Sequence, residues 1–388
     1  MKNLNKIGAI VGTVAILAAN IVSPVLAAGN NATNSTTGPL SSNYTDISNT
    51  SKVKVENVSD AHIKNDVTVV SNTGHNSASM NTLGGTVVSG NANVNATLNN
   101  TANVNTTSVT GGPQGSGVTA ANLITGPLSD NRANVENKNK VEVENDNTLW
   151  LDNKVDALSD TGYNTADTNT GPGSVRSGNA STTLSVVNRG NDSATDVSGA
   201  AGGNGGNLSS NETTGPLSTN YSDILNSAEA DIDNVSDARV KNNVLATGNS
   251  GHNSGSVNTL GGSVVSGNAS TGVGLDTTAN INTTSVAMAM GGFTNMGGND
   301  VTGPDSDNRN SITNKYEVEV ENINNKCESR DCKDYDGPWG VFNQDVDTAD
   351  TGYNVADTNT GMASAVSGLA SVLKNIKVWM NDSLTVVK

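Results

Sequence analysis

The sequence predicts an all-β chain: a β-solenoid or β-helix-like stack of short strands, built from four units of about 88 residues in the order A-B-A-B. Three observations carry this. Thr-Gly-Pro recurs at Thr37-Gly38-Pro39, Thr125-Gly126-Pro127, Thr214-Gly215-Pro216 and Thr302-Gly303-Pro304, in steps of 88, 89 and 88 residues, and a fixed period of this kind marks a repeat architecture. Segments such as Val53-Lys54-Val55-Glu56, Val141-Glu142-Val143-Glu144 and Val318-Glu319-Val320-Glu321 alternate with period two, the period of a strand. Hydrophobic residues make up 34% and aromatic residues 3% of the chain, against roughly 45–50% apolar in an ordinary domain. Burial must then come from neighbouring repeats rather than from a conventional core.

Residues 1–27 read as a secretory signal peptide. Lys2 and Lys6 form a basic start, Ile7 to Ile21 is apolar, and Pro24 precedes small residues at Ala27-Ala28. The expected product is exported and cleaved, with no membrane span afterwards; a retained anchor is the alternative. A polar leader covers 28–36. Units follow at 37–124, 125–213, 214–301 and 302–388. Units one and three share TTGPLS-x-NY-x-DI and NTLGG-x-VVSGNA, while units two and four share TGP-x-SDNR and KVEVEN-like segments. The pair is therefore itself doubled.

Within each unit a second spacing is strict. The glycine of Thr/Ser-Gly-x-Asn is Gly74, Gly162, Gly251 and Gly352. The glycine of a later Ser-Gly motif follows 16 residues on, at Gly90, Gly178, Gly267 and Gly368. Between them lie paired asparagines: Asn76 and Asn81, Asn164 and Asn169, Asn253 and Asn258, Asn354 and Asn359. Sixteen residues suit one rung of two or three short strands. Recurrent Asn predicts ladders of amide hydrogen bonds between rungs, and the glycines predict turns with positive φ. Gly-rich stretches at 111–117, 199–207 and 290–299 read as linkers. Unit four carries 13 extra residues holding Cys327 and Cys332, and ends in an apolar segment that reads as a cap. In an oxidising compartment these two cysteines are expected to form a disulfide.

Other motifs weigh toward structure. Asp160-Thr161-Gly162 and Asp350-Thr351-Gly352 mimic the aspartic-protease signature, but the A units place Asn72 and Asn249 there. Asparagine cannot share a proton, whereas both residue types favour turns. His75 and His252 alternate with Tyr163 and Tyr353, a recurring planar side chain. His62 has no matching histidine. Asp345, Asp347 and Asp350 read as solvated turn acids rather than a calcium loop. Sequons such as Asn57-Val58-Ser59 leave glycosylation open. No catalytic residue, metal site or cofactor is assigned. A formal charge of −16 without a basic stripe excludes a nucleic-acid binder.

The pattern Ser-Asn-Thr-Gly-x-Asn-x-Ala-x-x-Asn around Gly74 resembles the curlin repeat, with Asn in place of Gln, a spacing one residue shorter and far longer units. The combination of Thr-Gly-Pro, Val-x-Val-x-Asn and Ser-Gly-Asn-Ala is similar to a set of uncharacterised exported repeat proteins of candidate-phyla bacteria. That likeness implies a secreted, β-rich surface protein and carries no activity. The sequence therefore predicts a secreted, non-enzymatic bacterial protein at the cell surface, acting as a structural or adhesive element on surface polysaccharide or other envelope proteins. The alternatives are a curli-like, self-associating extracellular matrix subunit, a carbohydrate-active β-helix enzyme and a disordered secreted coat.

Overall fold

A computed structural model describes residues 6–12, 17–22, 30–111, 118–200, 206–289, 295–325 and 340–387. All regular structure among them is strand. Strands β1 (Lys6–Gly12) and β2 (Leu17–Val22) come first. The first rung follows: β3 (Asn31–Ser35), β4 (Ser42–Asn72), β5 (Gly85–Val88) and β6 (Ala92–Gly111). The second rung holds β7 (Thr119–Thr125), β8 (Asp130–Asp160), β9 (Gly173–Arg176) and β10 (Ala180–Ala200). The third holds β11 (Leu208–Thr214), β12 (Thr219–Asn249), β13 (Gly262–Val265) and β14 (Ala269–Ala289). The fourth holds β15 (Met296–Thr302), β16 (Asp307–Asn324), β17 (Gly340–Asp350), β18 (Ala363–Val366) and β19 (Ala370–Val387).

Every rung pairs in parallel with the next, in register along its whole length. Val53 lies beside Val141, Val141 beside Ala230, and Ala230 beside Val318. The solenoid class holds, but the 16-residue segment is not a rung. One rung is the entire 88-residue unit, and its strands reach 31 residues. At about 3.3 Å per residue such a strand is roughly 100 Å long. Each rung runs out along β4, turns through an arch, and returns along β6. In cross-section it is a flattened loop of two facing layers. The sheet of β4, β8, β12, β16 and β17 forms one layer. The sheets led by β6 and β3 form the other. Four rungs at about 4.8 Å apart make a thin, broad slab rather than the extended rod that many short rungs would give.

The interior is narrow because two β layers pack about 10 Å apart. Valine, alanine and leucine fill it without aromatics. Val53, Val55, Val141 and Val143 meet Val109, Val197 and Val286 from the facing layer. Nearer the arch, Val69, Val155 and Val244 meet Val94, Leu184 and Val273. Between these clusters run rows of buried asparagine. The inward positions of β8 read Asn137, Asn139, Val141, Val143, Asn145, Asn147, Leu149, Leu151, Asn153, all of them buried. Pairs of amides alternate with pairs of apolar side chains, an eight-residue code along the strand. The first and second glycine-rich stretches lie mostly, and the cysteines Cys327 and Cys332 of the insertion wholly, outside the described residues. The third stretch is not all linker, since β15 begins at Met296. Among the described residues no helix is long and apolar enough to cross a membrane.

Candidate functional site: the arch and its ladders

The residues singled out by spacing gather at one place. Each arch joins a long outgoing strand to the return strand, and the four arches stack. Asn76 Nδ2 donates to Asn164 Oδ1 at 2.9 Å, Asn164 to Asn253 at 2.9 Å and Asn253 to Asn354 at 2.9 Å. The other amide hydrogen closes its own arch, from Asn76 to Thr73 O at 2.7 Å and from Asn164 to Thr161 O at 2.6 Å. A parallel ladder runs through Asn81, Asn169, Asn258 and Asn359, whose Oδ1 atoms accept from the preceding backbone N–H at 2.7, 2.9 and 2.6 Å. Asn76, Asn164 and Asn253 thus each satisfy both their own turn and the next rung, as a buried polar group requires.

The 16-residue spacing is the circumference of the arch. Its two feet are joined by Thr73 Oγ1 donating to Gly90 O at 2.7 Å, repeated by Thr161 to Gly178 O at 2.7 Å and Ser250 to Gly267 O at 2.6 Å. The glycines of the two spaced motifs serve close approach, not the positive φ the sequence suggested, whereas the Gly-Gly pairs of the arches do turn with positive φ, 107° at Gly84 and 113° at Gly261. A Cβ on Gly162 would sit 2.1 Å from Gly251 O, and one on Gly267 would sit 2.1 Å from Gly178 O. Gly74, Gly251 and Gly368 are equally tight. Left-handed residues in each arch are instead His75, Tyr163, His252 and Tyr353, with φ of 61°, 60°, 60° and 52°, and five positions on, Met80, Thr168, Val257 and Thr358. The His and Tyr rings form one column, with centroids 4.9, 4.8 and 4.8 Å apart. Stacking at this spacing contributes roughly 0.5–1.5 kcal/mol per pair and offsets part of the backbone strain.

The two Asp-Thr-Gly motifs do not form a dyad. Asp160 Oδ1 caps Gly162 N at 2.9 Å and Asp350 Oδ1 caps Gly352 N at 2.8 Å, with Asn249 in the rung between them. Their second oxygens meet His75 at 3.1 Å and His252 at 2.8 Å. His62 stacks on Trp150 at 4.5 Å. Asn57, the sequon asparagine, points inward and bonds to Asn145 and Thr107; a glycan there would require opening the strand. Cys327 and Cys332 lie outside the described residues. No described group of three or more His, Cys, Asp or Glu side chains is arranged around a metal position.

Comparison with protein-family models, curated proteins and solved structures finds no match. Function must therefore be argued from this chain's own residues.

Two features escaped sequence reading. A further ladder runs through Asn103, Asn191, Asn280 and Asn381, all at φ of 52–59° inside long strands. Asparagine tolerates this conformation better than most residues. Its Nδ2 also crosses the interior, from Asn103 to Thr148 O at 2.7 Å and from Asn191 to Asp237 O at 2.8 Å. The signal was an Asn at the same place in every unit, hidden by the abundance of asparagine.

The second feature corrects the reading of Asp345 and Asp347. They are not solvated turn acids. Both face inward on β17, with side chains 3% and 2% exposed, and Lys374 reaches them at 3.0 and 3.3 Å. The equivalent interior positions in rung three are Val244, Ala246 and Val273. Burial, reinforced by the Asp345 charge, pushes the Asp347 carboxyl above the usual carboxylate range. Breaking such a pair is costlier than never having built it.

Outside, Lys140 bonds Glu229 at 2.6 Å and Glu142 at 3.0 Å. Asp233 lies in a row of acids; its carboxyl is raised, first by burial and then by Asp231, Glu321, Glu144 and Glu319. One buried amide breaks the interior code. Asn139 is 2% exposed and neither of its amide atoms has a hydrogen-bond partner among the described residues, because its row reads Ser51, Asn139, Ala228. Asn139→Ala, the residue of rung three, should therefore stabilise the fold by about 1–2 kcal/mol. Denaturant titration checks this, and a loss of stability would show that Asn139 has a partner.

Proposed function

We propose that this is an exported, non-enzymatic structural or adhesive element of the cell surface. The observation that carries the reading is the slab itself. Its flanks set short polar side chains in a grid, about 4.8 Å between rungs and about 6.6 Å along each strand. On the return layer, half-buried Asn93, Ser181 and Ser270 form one such row, and exposed Thr106 and Thr283 flank Ala194 in another. A repeated array of weak hydroxyl and amide contacts suits avidity toward a repetitive polar partner such as a surface polysaccharide. The interior supports the same role, since satisfied amide ladders let a chain poor in apolar residues hold a defined shape in an open environment.

Cell fractionation tests this. The chain is expected outside the cytoplasm with Ala28 as its first residue, and purified protein should sediment with intact cells or their polysaccharide. Replacing Thr106, Ala194 and Thr283 by lysine should reduce sedimentation several-fold while leaving the β-sheet circular dichroism unchanged. Retention in the cytoplasm with Met1 intact, or no binding to any cell-surface fraction, would refute it.

A further inference from the structure

The two ends of the slab are different, and they are complementary. In most asparagine rows that run rung to rung, Nδ2 donates toward the higher-numbered rung; exceptions lie in the arch, where Asn91, Asn179 and Asn268 accept at Oδ1 from the backbone N–H of the next rung and Asn258 Nδ2 donates back to Ala166 O. Asn43 gives to Asn131, Asn131 to Asn220 and Asn220 to Asn308. Asn49, Asn137, Asn226 and Asn314 repeat the direction. In these rows outside the arch, rung one ends its ladders on acceptors and rung four on donors. One acceptor is stranded: Asn103 Oδ1 is buried without a partner among the described residues. In rungs two and three the same atom accepts from the rung below, at 2.9 Å in each case.

Four columns carry the same message, two of them alternating and two charged. Arginine and tyrosine alternate as Tyr44, Arg132, Tyr221, Arg309, with guanidinium carbons 5.2–5.5 Å from the ring centroids. The ring column runs His75, Tyr163, His252, Tyr353, and Tyr353 is 78% exposed. A charged column runs Lys52, Lys140, Glu229, Glu317, and its neighbour runs Lys54, Glu142, Asp231, Glu319. Each column ends in rung four on the partner of the residue that begins it in rung one. Arg309 would meet Tyr44 of a second copy, Tyr353 would meet His75, and Glu317 and Glu319 would meet Lys52 and Lys54. The A-B-A-B order puts an A unit next in line after rung four.

We propose that the end face of rung four docks the end face of rung one of a second copy, so that chains stack head to tail in an open row. A face roughly 100 Å long and two layers deep exceeds the about 800 Å² per partner of a standard interface. Because the two surfaces differ, the contact is heterologous and does not close on itself. The partner edge of β6 is held by β1 and β2, which pair with it in parallel. Stacking thus rests on the reading above that this leader is removed on export. Lys374, Asp345 and Asp347 weaken the contact, because a second copy would set Ala96, Val67 and Val69 over them.

The test is sedimentation velocity and electron microscopy on the chain beginning at Ala28, against the full chain. The shorter chain should form rows that lengthen with concentration in steps of about 19 Å, four strand spacings, while the full chain stays single. Lys52→Glu with Lys54→Glu should raise the concentration needed at least tenfold, and adding Glu317→Lys with Glu319→Lys should restore it. Asp345→Val, Asp347→Ala and Lys374→Val together should lower it. A β-rich chain from Ala28 that stays monomeric at every concentration, or assembly indifferent to both charge sets, overturns the proposal; if that monomer still sediments with cells, the surface reading survives. A chain without strand signal overturns both.

Discussion

Gly162→Ala should destabilise the protein by at least about 3 kcal/mol, the range of forced overpacking with no room to relax. The added methyl would lie 2.1 Å from Gly251 O and 3.0 Å from Asn249 Nδ2. The carbonyl belongs to the adjoining arch, so moving it would pull Asn253 and the ring of His252 out of their columns. A matched substitution supplies the control. Gly272→Ala lies on β14, where a Cβ meets nothing within 4 Å, and should change stability by less than about 0.5 kcal/mol. Denaturant midpoints of the two variants check the contrast. Equal midpoints would mean that the arches do not stack at this distance.

The second large effect lies in the interior. Asn153 makes four hydrogen bonds: it accepts from Asn65 at 2.8 Å and Asn100 at 3.1 Å, and donates to Asn188 at 3.0 Å and Asn242 at 2.7 Å. Asn153→Ala strands buried amides on both neighbouring rungs and the facing layer, at about 1–3 kcal/mol for each group left unpaired. A total loss of about 3–5 kcal/mol is expected. Asn153→Asp keeps the shape and both acceptors but donates nothing and buries a charge, so at neutral pH it should be at least as damaging. A carboxyl held in such a place has a folded pKa above its unfolded value. Its contribution to stability is therefore greatest below the unfolded pKa and is lost as pH rises through the folded one. The gap between Asn153→Asp and the native chain should narrow as pH falls toward 4, whereas that of Asn153→Ala should not. Denaturant titrations at pH 7 and pH 4 distinguish the two.

Much of this architecture is legible in the residues, for physical reasons that also explain what is not. Thr-Gly-Pro and the paired glycines are rare enough against the background to expose the period, and stacking demands that they recur. The ring column is equally visible, because His75, Tyr163, His252 and Tyr353 are scarce residue types. The size of the rung is not visible locally. A 16-residue spacing fits a small rung as well as it fits the closing of an arch through Thr73 and Gly90, and only pairing register separates the two. The pairing of amides and apolar residues along β8 repeats every eight residues, but asparagine is so common outside the core that the inward set does not stand out. Lys374, Asp345 and Asp347 lie far apart in sequence, and their meeting depends on β17 and β19 facing each other after the insertion. Gly84 and Gly261 turn with positive φ as the sequence suggested, but the glycines at the feet of the arch are needed for another reason: what they provide is the absence of a Cβ where two backbones nearly touch.

The claim beneath all of this is that residues one repeat apart lie side by side. Short-span thiol cross-linking measures it directly, in a chain with Cys327 and Cys332 replaced by serine. Thr106 and Ala194 are exposed register partners on β6 and β10, while Ser198 lies four residues farther along the same strand, roughly 13 Å away. Thr106→Cys with Ala194→Cys should cross-link within the molecule at dilute protein, and Thr106→Cys with Ser198→Cys should not. Equal cross-linking of the two pairs, or none in the first, would contradict the stack.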